Sequence, residues 1–456
     1  MLVAAGVAVG LRPLSDNSFL THLATGRLIL ERGSIPTADP YTFTAHGEPW
    51  VVQSWLASVL YGTAEAVAGG TGLRLLTGAL VVAVMLLAWR LLRPASSLVV
   101  RLGVGVLFLA VGAGLWAERP LLLGLLALGA VVLVGEGGLD PRWLVPIGWV
   151  WVNVHGSFPL GVAYLAVVLA GRWLDGEGRA LEWRALKWMV LGLLAGALNP
   201  VGPRLLVFPI ELLGRQDVLA NVLEWRSPTF DDLSQRAFLL QLALAVVLLV
   251  RRPSHRRALV LAVFGAAALL GARNLVVASL VLLPGMAESL PSVGALRSSE
   301  RARPALLLGA CGAAAALLVM LFRLGEADFD LRSYPADAVG YLQEIGVDLD
   351  DEHVAAPDTA GNFVEVTFGA GERVFYDDRF DMFPEEVSAD HLSLVQSGPP
   401  VDEVLERYDI DVVVWGRTAA LTQRLLADPA WRLLYSDPGW SVLCRRGAAL
   451  GDDGRC

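Results

Sequence analysis

The sequence predicts a mainly α polytopic membrane protein of about eleven transmembrane helices, followed by a small C-terminal α/β domain outside the membrane. Three observations predict it. Of 456 residues, 55% are hydrophobic and 18% charged, whereas soluble domains hold roughly a quarter charged residues. Long apolar runs recur through the first 325 positions. The net charge of -9 also hides two opposite halves: residues 1–325 hold 26 Lys+Arg against 18 Asp+Glu, a balance of +8, and residues 326–456 hold 10 against 27, a balance of -17. Such asymmetry marks two environments, bilayer and water.

A helix needs about 20 apolar residues to cross the hydrocarbon core. Candidate passes lie at residues 73–89, 98–116, 120–134, 143–152, 158–174, 185–198, 237–250, 258–270, 275–290 and 305–322, with a short apolar stub at 2–11. The stub lacks the basic start and small-residue cleavage site of a signal peptide, so it reads as the remnant of a membrane anchor. Orientation follows from the bases in the short loops. With alternating passes, Arg90, Arg93, Arg101, Arg142, Arg172, Arg179, Arg184, Lys187, Arg251, Arg252, Arg256, Arg257, Arg297, Arg301 and Arg303 all fall on one side. The opposite short turns carry Arg119 and Arg273 alone. The basic side is therefore cytoplasmic, and the expected location is the cell membrane with the acidic C-terminal domain extracytoplasmic.

This gives a membrane domain at 1–325, with a long first extracytoplasmic loop at 12–72, and a soluble acidic α/β domain at 326–456. The loop contains two amphipathic stretches, 19–30 and 52–66, joined by a Pro-containing turn at 35–41. Such stretches can lie in the interface plane, a depth that suits Trp50, Trp55 and Tyr61. In the tail, alternating patterns predict strands at 353–356, 373–376, 411–415, 431–435 and 441–444, and helices at 336–343, 401–408 and 419–427. Asp377-Asp378-Arg379-Phe380-Asp381 follows an expected strand, where loops often carry function. The simpler reading there is a solvated acidic loop paired with Arg379.

Several function classes are excluded. A tail at -17 repels nucleic-acid backbones, so no nucleic-acid partner is expected. No Gly-rich phosphate loop, zinc spacing or nucleophile elbow occurs. Cys311, Cys444 and Cys456 fit neither a disulfide framework nor a metal cluster by spacing.

The unusual polar residues collect on the expected outer face: Asp16, His22, Asp39, Glu118-Arg119-Pro120, Asn153-Val154-His155-Gly156, Asn199-Pro200, Glu224-Trp225-Arg226-Ser227-Pro228 and Arg273-Asn274. Ionisable groups at a membrane edge usually face a wet cavity and mark a site. Each has a plainer reading as well: an interfacial Glu118–Arg119 pair, a packing His155, a helix stop at Asn199-Pro200. Their common side favours a site. Asp16 or Asp39 can take a proton from an acceptor hydroxyl. Arg119 and Arg273 suit bidentate phosphate contacts, and His155 can donate to the same leaving group.

The order Asp16-Asn17-Ser18, Pro36-Thr37-Ala38-Asp39-Pro40, Trp50, Trp55, Glu118-Arg119-Pro120, Trp151-Val152-Asn153-Val154-His155-Gly156, Asn199-Pro200-Val201-Gly202 and Glu224-Trp225 resembles bacterial multispanning proteins of the GT-C glycosyltransferase superfamily, the RgtA/B/C/D-like and mannosyltransferase-like group. That resemblance spans nearly the whole chain. It implies a sugar donor carried on polyprenyl phosphate, an envelope glycan, lipid or protein as acceptor, and surrounding membrane lipids. It also implies a catalytic acid in the first outer loop, at Asp16, with Asp39 assisting. His22, Arg119, Asn153, His155, Glu224 and Arg273 are then the expected substrate-binding residues. Ser18 and Ser54 stand where the family pattern has acids. The metal requirement is thus left open, with a divalent cation as the candidate, because such a cation wants several oxygen ligands. Rival readings are a transporter or flippase of a lipid-linked or anionic substrate and a non-catalytic scaffold. A transporter, though, places its polar groups near the midplane and often shows internal repeats.

Overall fold

The structure, a computed structural model of the full chain, describes residues 2–215, 225–291, 302–349, 352–371, 373–450 and 456. The chain is mainly helical with one small sheet. Contacts gather it into two units, each assembled from two pieces: 1–14 with 67–328, and 15–66 with 329–456. Composition divides the chain near residue 325. Packing divides it differently, because the first loop belongs to the same unit as the acidic tail.

In the first unit, α1 (Leu2–Gly10), the later part of α3 (Trp55–Leu91), α4 (Leu98–Gly112), α5 (Leu121–Gly135), α6 (Leu144–Val154), α7 (Pro159–Leu174), α8 (Ala180–Gly196), α9 (Arg204–Gly214), α10 (Leu233–Arg251), α11 (His255–Leu270), α12 (Leu275–Ser289) and α13 (Ala302–Leu324) follow in order. Every apolar run expected to be a pass is helical. Two described helices, Trp55–Leu91 and Leu233–Arg251, are long and apolar enough to cross a membrane unaided, while Leu98–Gly112, Leu121–Gly135 and Pro159–Leu174 are apolar but shorter. That fits a membrane protein.

Close helix crossings are built on glycine. A Cβ at Gly148 of α6 would lie 2.9 Å from the Gly192 carbonyl carbon of α8, and one at Gly192 would lie 2.3 Å from Leu144 O. The long α3 is broken at Ala68 and Gly69, whose φ of +59° only glycine adopts cheaply. Just beyond, the fully buried Arg74 donates to Leu11 O at 2.6 and 3.1 Å, to Glu326 O at 3.0 Å and to Asp328 Oδ1 at 3.2 Å. It also bonds Arg323 O. One guanidinium so satisfies carbonyls at the ends of α1 and α13 that their own helices cannot.

The second unit pairs α2 (Asn17–Arg32) with the start of α3, packs α2 against the helix at Asp358–Phe368, and contains a four-stranded sheet. Its strands are β1 (Val354–Ala355), β2 (Val412–Gly416), β3 (Trp431–Ser436) and β4 (Trp440–Arg445), in the order β1-β2-β4-β3. β1 and β2 are parallel; the other pairs are antiparallel. The β3–β4 turn is closed by Asp437 Oδ1, which accepts from Gly439 N and Trp440 N, both at 2.7 Å. Helices α14 (Ala336–Glu344), α17 (Val401–Arg407) and α18 (Ala420–Ala427) match the sequence reading, whereas α15 (Asp358–Phe368) and α16 (Glu385–Gln396) were not foreseen.

Two corrections concern local pairing. Residues 373–376, read as a strand, join no sheet ladder. Val374 instead bridges the first loop: its N–H reaches Tyr41 O at 2.9 Å and its carbonyl takes Phe43 N–H at 3.1 Å. Alternation alone cannot tell a sheet partner from a loop partner. The cysteines are the second case, since Cys444 and Cys456 form a disulfide with Cα atoms 6.1 Å apart, leaving Cys311 free.

The crossing of α2 and α3 leaves no room for side chains. A Cβ at Gly26 would fall 2.0 Å from Ser58 O, and one at Gly62 only 2.8 Å from the Gly26 carbonyl carbon. Overpacking a tight contact costs about 1–3 kcal/mol. Gly26→Ala is therefore expected to lower the thermal midpoint of the purified chain measurably, while Gly103→Ala, at a position with open space around it, leaves it unchanged.

Candidate functional site

The site grows from the first turn of α2. Asp16 precedes that helix with extended backbone, and its Oδ1 accepts the Phe19 N–H at 3.1 Å, making it the N-cap. Asp is favoured there because its oxygen satisfies a donor the helix leaves open. A carboxylate has about four acceptor positions, so a capping bond is compatible with a chemical role.

Four residues of the acidic tail grip this turn. Tyr334 OH donates to Ser15 O at 3.0 Å, and Asn17 Nδ2 donates to Asp358 Oδ2 at 3.0 Å. Asn362 Nδ2 donates to Asn17 O at 3.2 Å, and the Thr21 hydroxyl donates to Asp378 Oδ1 at 2.8 Å. Asn362 also accepts the Asp378 N–H at 3.1 Å, so α15 and the 377–379 loop hold one another as well as the turn.

The same loop carries Arg379, whose side chain is 5% exposed. Its Nη2 lies 2.7 Å from Asp39 Oδ1 and 3.8 Å from Glu365, and it pairs closely with Asp377. The guanidinium also stacks over Trp50 at 4.5 Å and Tyr41 at 4.9 Å. Three buried carboxylates thus meet one cation, an arrangement in which full ionisation is unfavourable. Burial, then the neighbouring Asp377 charge, pushes the Glu365 carboxyl well above its usual range. Burial likewise raises Asp358 and lifts Asp378 to about 6. Arg379 is driven further upward by Asp377, Glu365 and Asp39 against the opposing cost of burial.

The expected residues divide between the two units. Asp39 proves to be a structural acid. It is 2% exposed, accepts from Tyr41 N at 3.2 Å, Thr42 N at 3.1 Å and Thr42 Oγ1 at 2.5 Å, and holds Arg379 besides. Those contacts occupy the positions a proton transfer or cation would need. His22 meets Ser58 Oγ at 3.2 Å on the α2–α3 crossing.

In the first unit, Asn153 is fully buried and donates to Trp149 O at 2.7 Å, within its own helix. His155 follows α6, and its Nδ1 accepts the Ser157 N–H at 3.1 Å. A neutral imidazole bonded this way carries its proton on Nε2. The ring lies against Gly124, in the first turn of α5, so His155 shares that helix end with Arg119, just before the Pro120 N-cap. Arg273 sits over the Trp225 ring at 4.3 Å. Asn199 closes a turn, accepting from Val201 N at 2.7 Å and Gly202 N at 2.8 Å. Glu224 lies outside the described residues.

Among the described residues no group of three His, Cys, Asp or Glu side chains could hold a metal ion. With Ser18 and Ser54 in place of acids, the donor set around Asp16 does not suit a hard divalent cation. Sequence reasoning missed Tyr334, Asp358 and Asn362, because they meet the start of α2 across more than 300 residues of chain, and Glu365, which meets Arg379 only once the loop is folded.

No family model matches the sequence, and no curated protein matches it. The fold nevertheless has a solved counterpart. The chain is similar to the solved archaeal oligosaccharyltransferase AglB of Archaeoglobus fulgidus, in complex with an inhibitory peptide and a dolichol-phosphate: TM-score 0.56, 13% identity, 91% of this chain and 68% of that one. At this identity the likeness is one of fold, and the mannosyltransferase-like branch has no support from it.

Two predictions follow from the buried node. Removing its cation leaves uncompensated carboxylates, so Arg379→Gln should cost about 3–5 kcal/mol in chemical denaturation, with a near-wild-type midpoint as the contrary result. Glu365 and Asp378 have folded values raised above their unfolded ones, so their contribution is complete below about pH 4 and is lost as pH rises, for Asp378 through about 6. Glu365→Gln should therefore flatten the fall of stability between pH 5 and 8; an unchanged slope would refute the assignment.

Proposed function

We propose that this chain is a multispanning membrane glycosyltransferase that moves a sugar from a polyprenyl-phosphate donor to an acceptor outside the cell membrane. The observation that carries the reading is the shared fold with an enzyme solved with a dolichol-phosphate, joined to a carboxylate held at the N-cap of α2 by the acidic tail. The acceptor is an envelope glycan, lipid or protein.

In the reaction, the acceptor hydroxyl attacks the anomeric carbon as Asp16 takes its proton. The bond from that carbon to the phosphate oxygen breaks, and the phosphate leaves with the electron pair. Arg119 and Arg273 hold the phosphate oxygens, and His155 donates from Nε2 to them. His22 and Glu224 belong to the substrate surface in this reading, with Asn153 buried behind it. Asp39, buried against Arg379, keeps the first loop in shape. The chain's own residues supply every step, and no step is routed through a metal.

The topology supports the same picture. The apolar runs cross about eleven times, the shorter ones tilted little or spanning a locally thinned bilayer. The arginine-rich loops lie in the cytoplasm and the tail outside. Disulfides persist in oxidising compartments, so the Cys444–Cys456 bond favours that placement of the tail. A non-catalytic scaffold is the second reading, favoured by Ser18 and Ser54 in place of acids.

The test uses the purified chain with radiolabelled polyprenyl-phosphate sugars and envelope acceptors. Asn caps a helix as well as Asp does, so Asp16→Asn separates capping from chemistry. Stability should be kept while transfer falls by about 10²–10⁴-fold. Undiminished transfer would remove Asp16 as base, and no transfer by the wild type with any donor would favour the scaffold.

A further inference from the structure

The loop at 377–379 touches the first loop twice, with opposite chemistry. Arg379 is locked among Asp39, Asp377, Tyr41 and Trp50, and is nearly fully buried. Asp378, one residue earlier, is half-buried and turns the other way, onto hydroxyls of α2. It accepts from Thr21 Oγ1 at 2.8 Å and is hydrogen-bonded by Ser18 as well. Its own N–H is fixed by Asn362, whose amide reaches Asn17 O. Asp378 therefore stands on a rigid base and faces a turn whose N-cap is Asp16.

The geometry points to Asp378 as a positioning residue for Asp16: its carboxylate anchors the first turn of α2 through Ser18 and Thr21, so that the acidic tail controls whether the proposed base is held in place. This rests on the reading of Asp16 given above. The groups around Asp378 are Asp377 and Arg379 on its own loop, Asp358 and Glu365 on α15, and Asn17, Ser18 and Thr21 on α2, with Asp16 at that helix's cap. The ionised carboxylate accepts from both hydroxyls with no donor of its own at either oxygen. Burial lifts Asp378 to about 6, so it is mainly ionised at neutral pH. Arg379 meanwhile keeps the loop itself in register, which separates anchoring from folding.

Amide hydrogen exchange of the full chain reads the anchor without requiring activity. Hydrogen bonds to charged groups are worth enough to change local opening by about tenfold or more. After correction for intrinsic rates, the Phe19 amide of Asp378→Asn should be less protected than that of the wild type by about that factor at pH 7. Thr21→Val removes the same contact from the other side and should behave likewise, with Thr21→Ser restoring wild-type exchange. It decides the matter should Asp378→Asn fail to fold. Equal protection in the wild type and these variants at pH 7 would overturn the proposal.

Transfer assays then separate this inference from the function. With an active wild type, Asp378→Asn should lower kcat about tenfold with KM little changed. A wild-type kcat in that variant would refute positioning while leaving the glycosyltransferase intact. Exchange that responds to these variants in a chain that transfers no sugar would keep the anchor and overturn the function.

Discussion

A single buried guanidinium organises the unit that contains the proposed base. Arg379 neutralises carboxylates from the first loop, from α15 and from its own loop, and its flat face covers Tyr41 and Trp50. Taking an ion out of water is costly unless partners and hydrogen bonds replace the lost hydration. Here the replacement comes from segments that lie far apart in sequence. The node can form only when loop and tail are both folded, so it makes their association all-or-none. The short contacts from Asp378, Asp358, Asn362 and Tyr334 to the start of α2 follow from that docking.

The excess of acid over base at this node has a second consequence. Three carboxylates against one cation leave Glu365 driven toward its neutral form, and Asp378 is lifted into the range where mild acid protonates it. Perturbed carboxyls often mark functional sites, although structural ion networks perturb them too. Both descriptions hold here. Arg379, Asp39 and Glu365 maintain the shape of the unit. Asp378 and Asp358 direct that shape onto the turn carrying Asp16. The proposed site is thus an acid on a helix cap whose turn is contacted by another part of the chain.

The first unit shows the same economy of means in an apolar setting. Helices approach closely where glycines stand opposite backbone, as at Gly148 and Gly192. Arg74 gathers helix-end carbonyls that would otherwise lack donors. His155 is held by Ser157 in the tautomer that leaves its proton on Nε2. These constraints fix side chains at helix ends.

By itself, the sequence determined the helical runs, the charge split and most of the sheet, because these depend on local period and composition. The alternation at 431–435 and 441–444 is satisfied across a local hairpin, where β3 and β4 form, and that at 411–415 gives β2, which pairs with β4 further along the chain. Asp16 was legible as an unusual acid, and its position three residues before Phe19 is the ordinary signature of an N-cap. Only the tertiary structure decided that Asp39 is a buried partner of Arg379, that residues 373–376 bridge the first loop, and that the acidic tail holds the turn around Asp16. Those contacts join residues separated by up to 357 positions. Pairings at that distance leave no periodicity in the chain, since their energy comes from burial and charge neutralisation that exist only after folding.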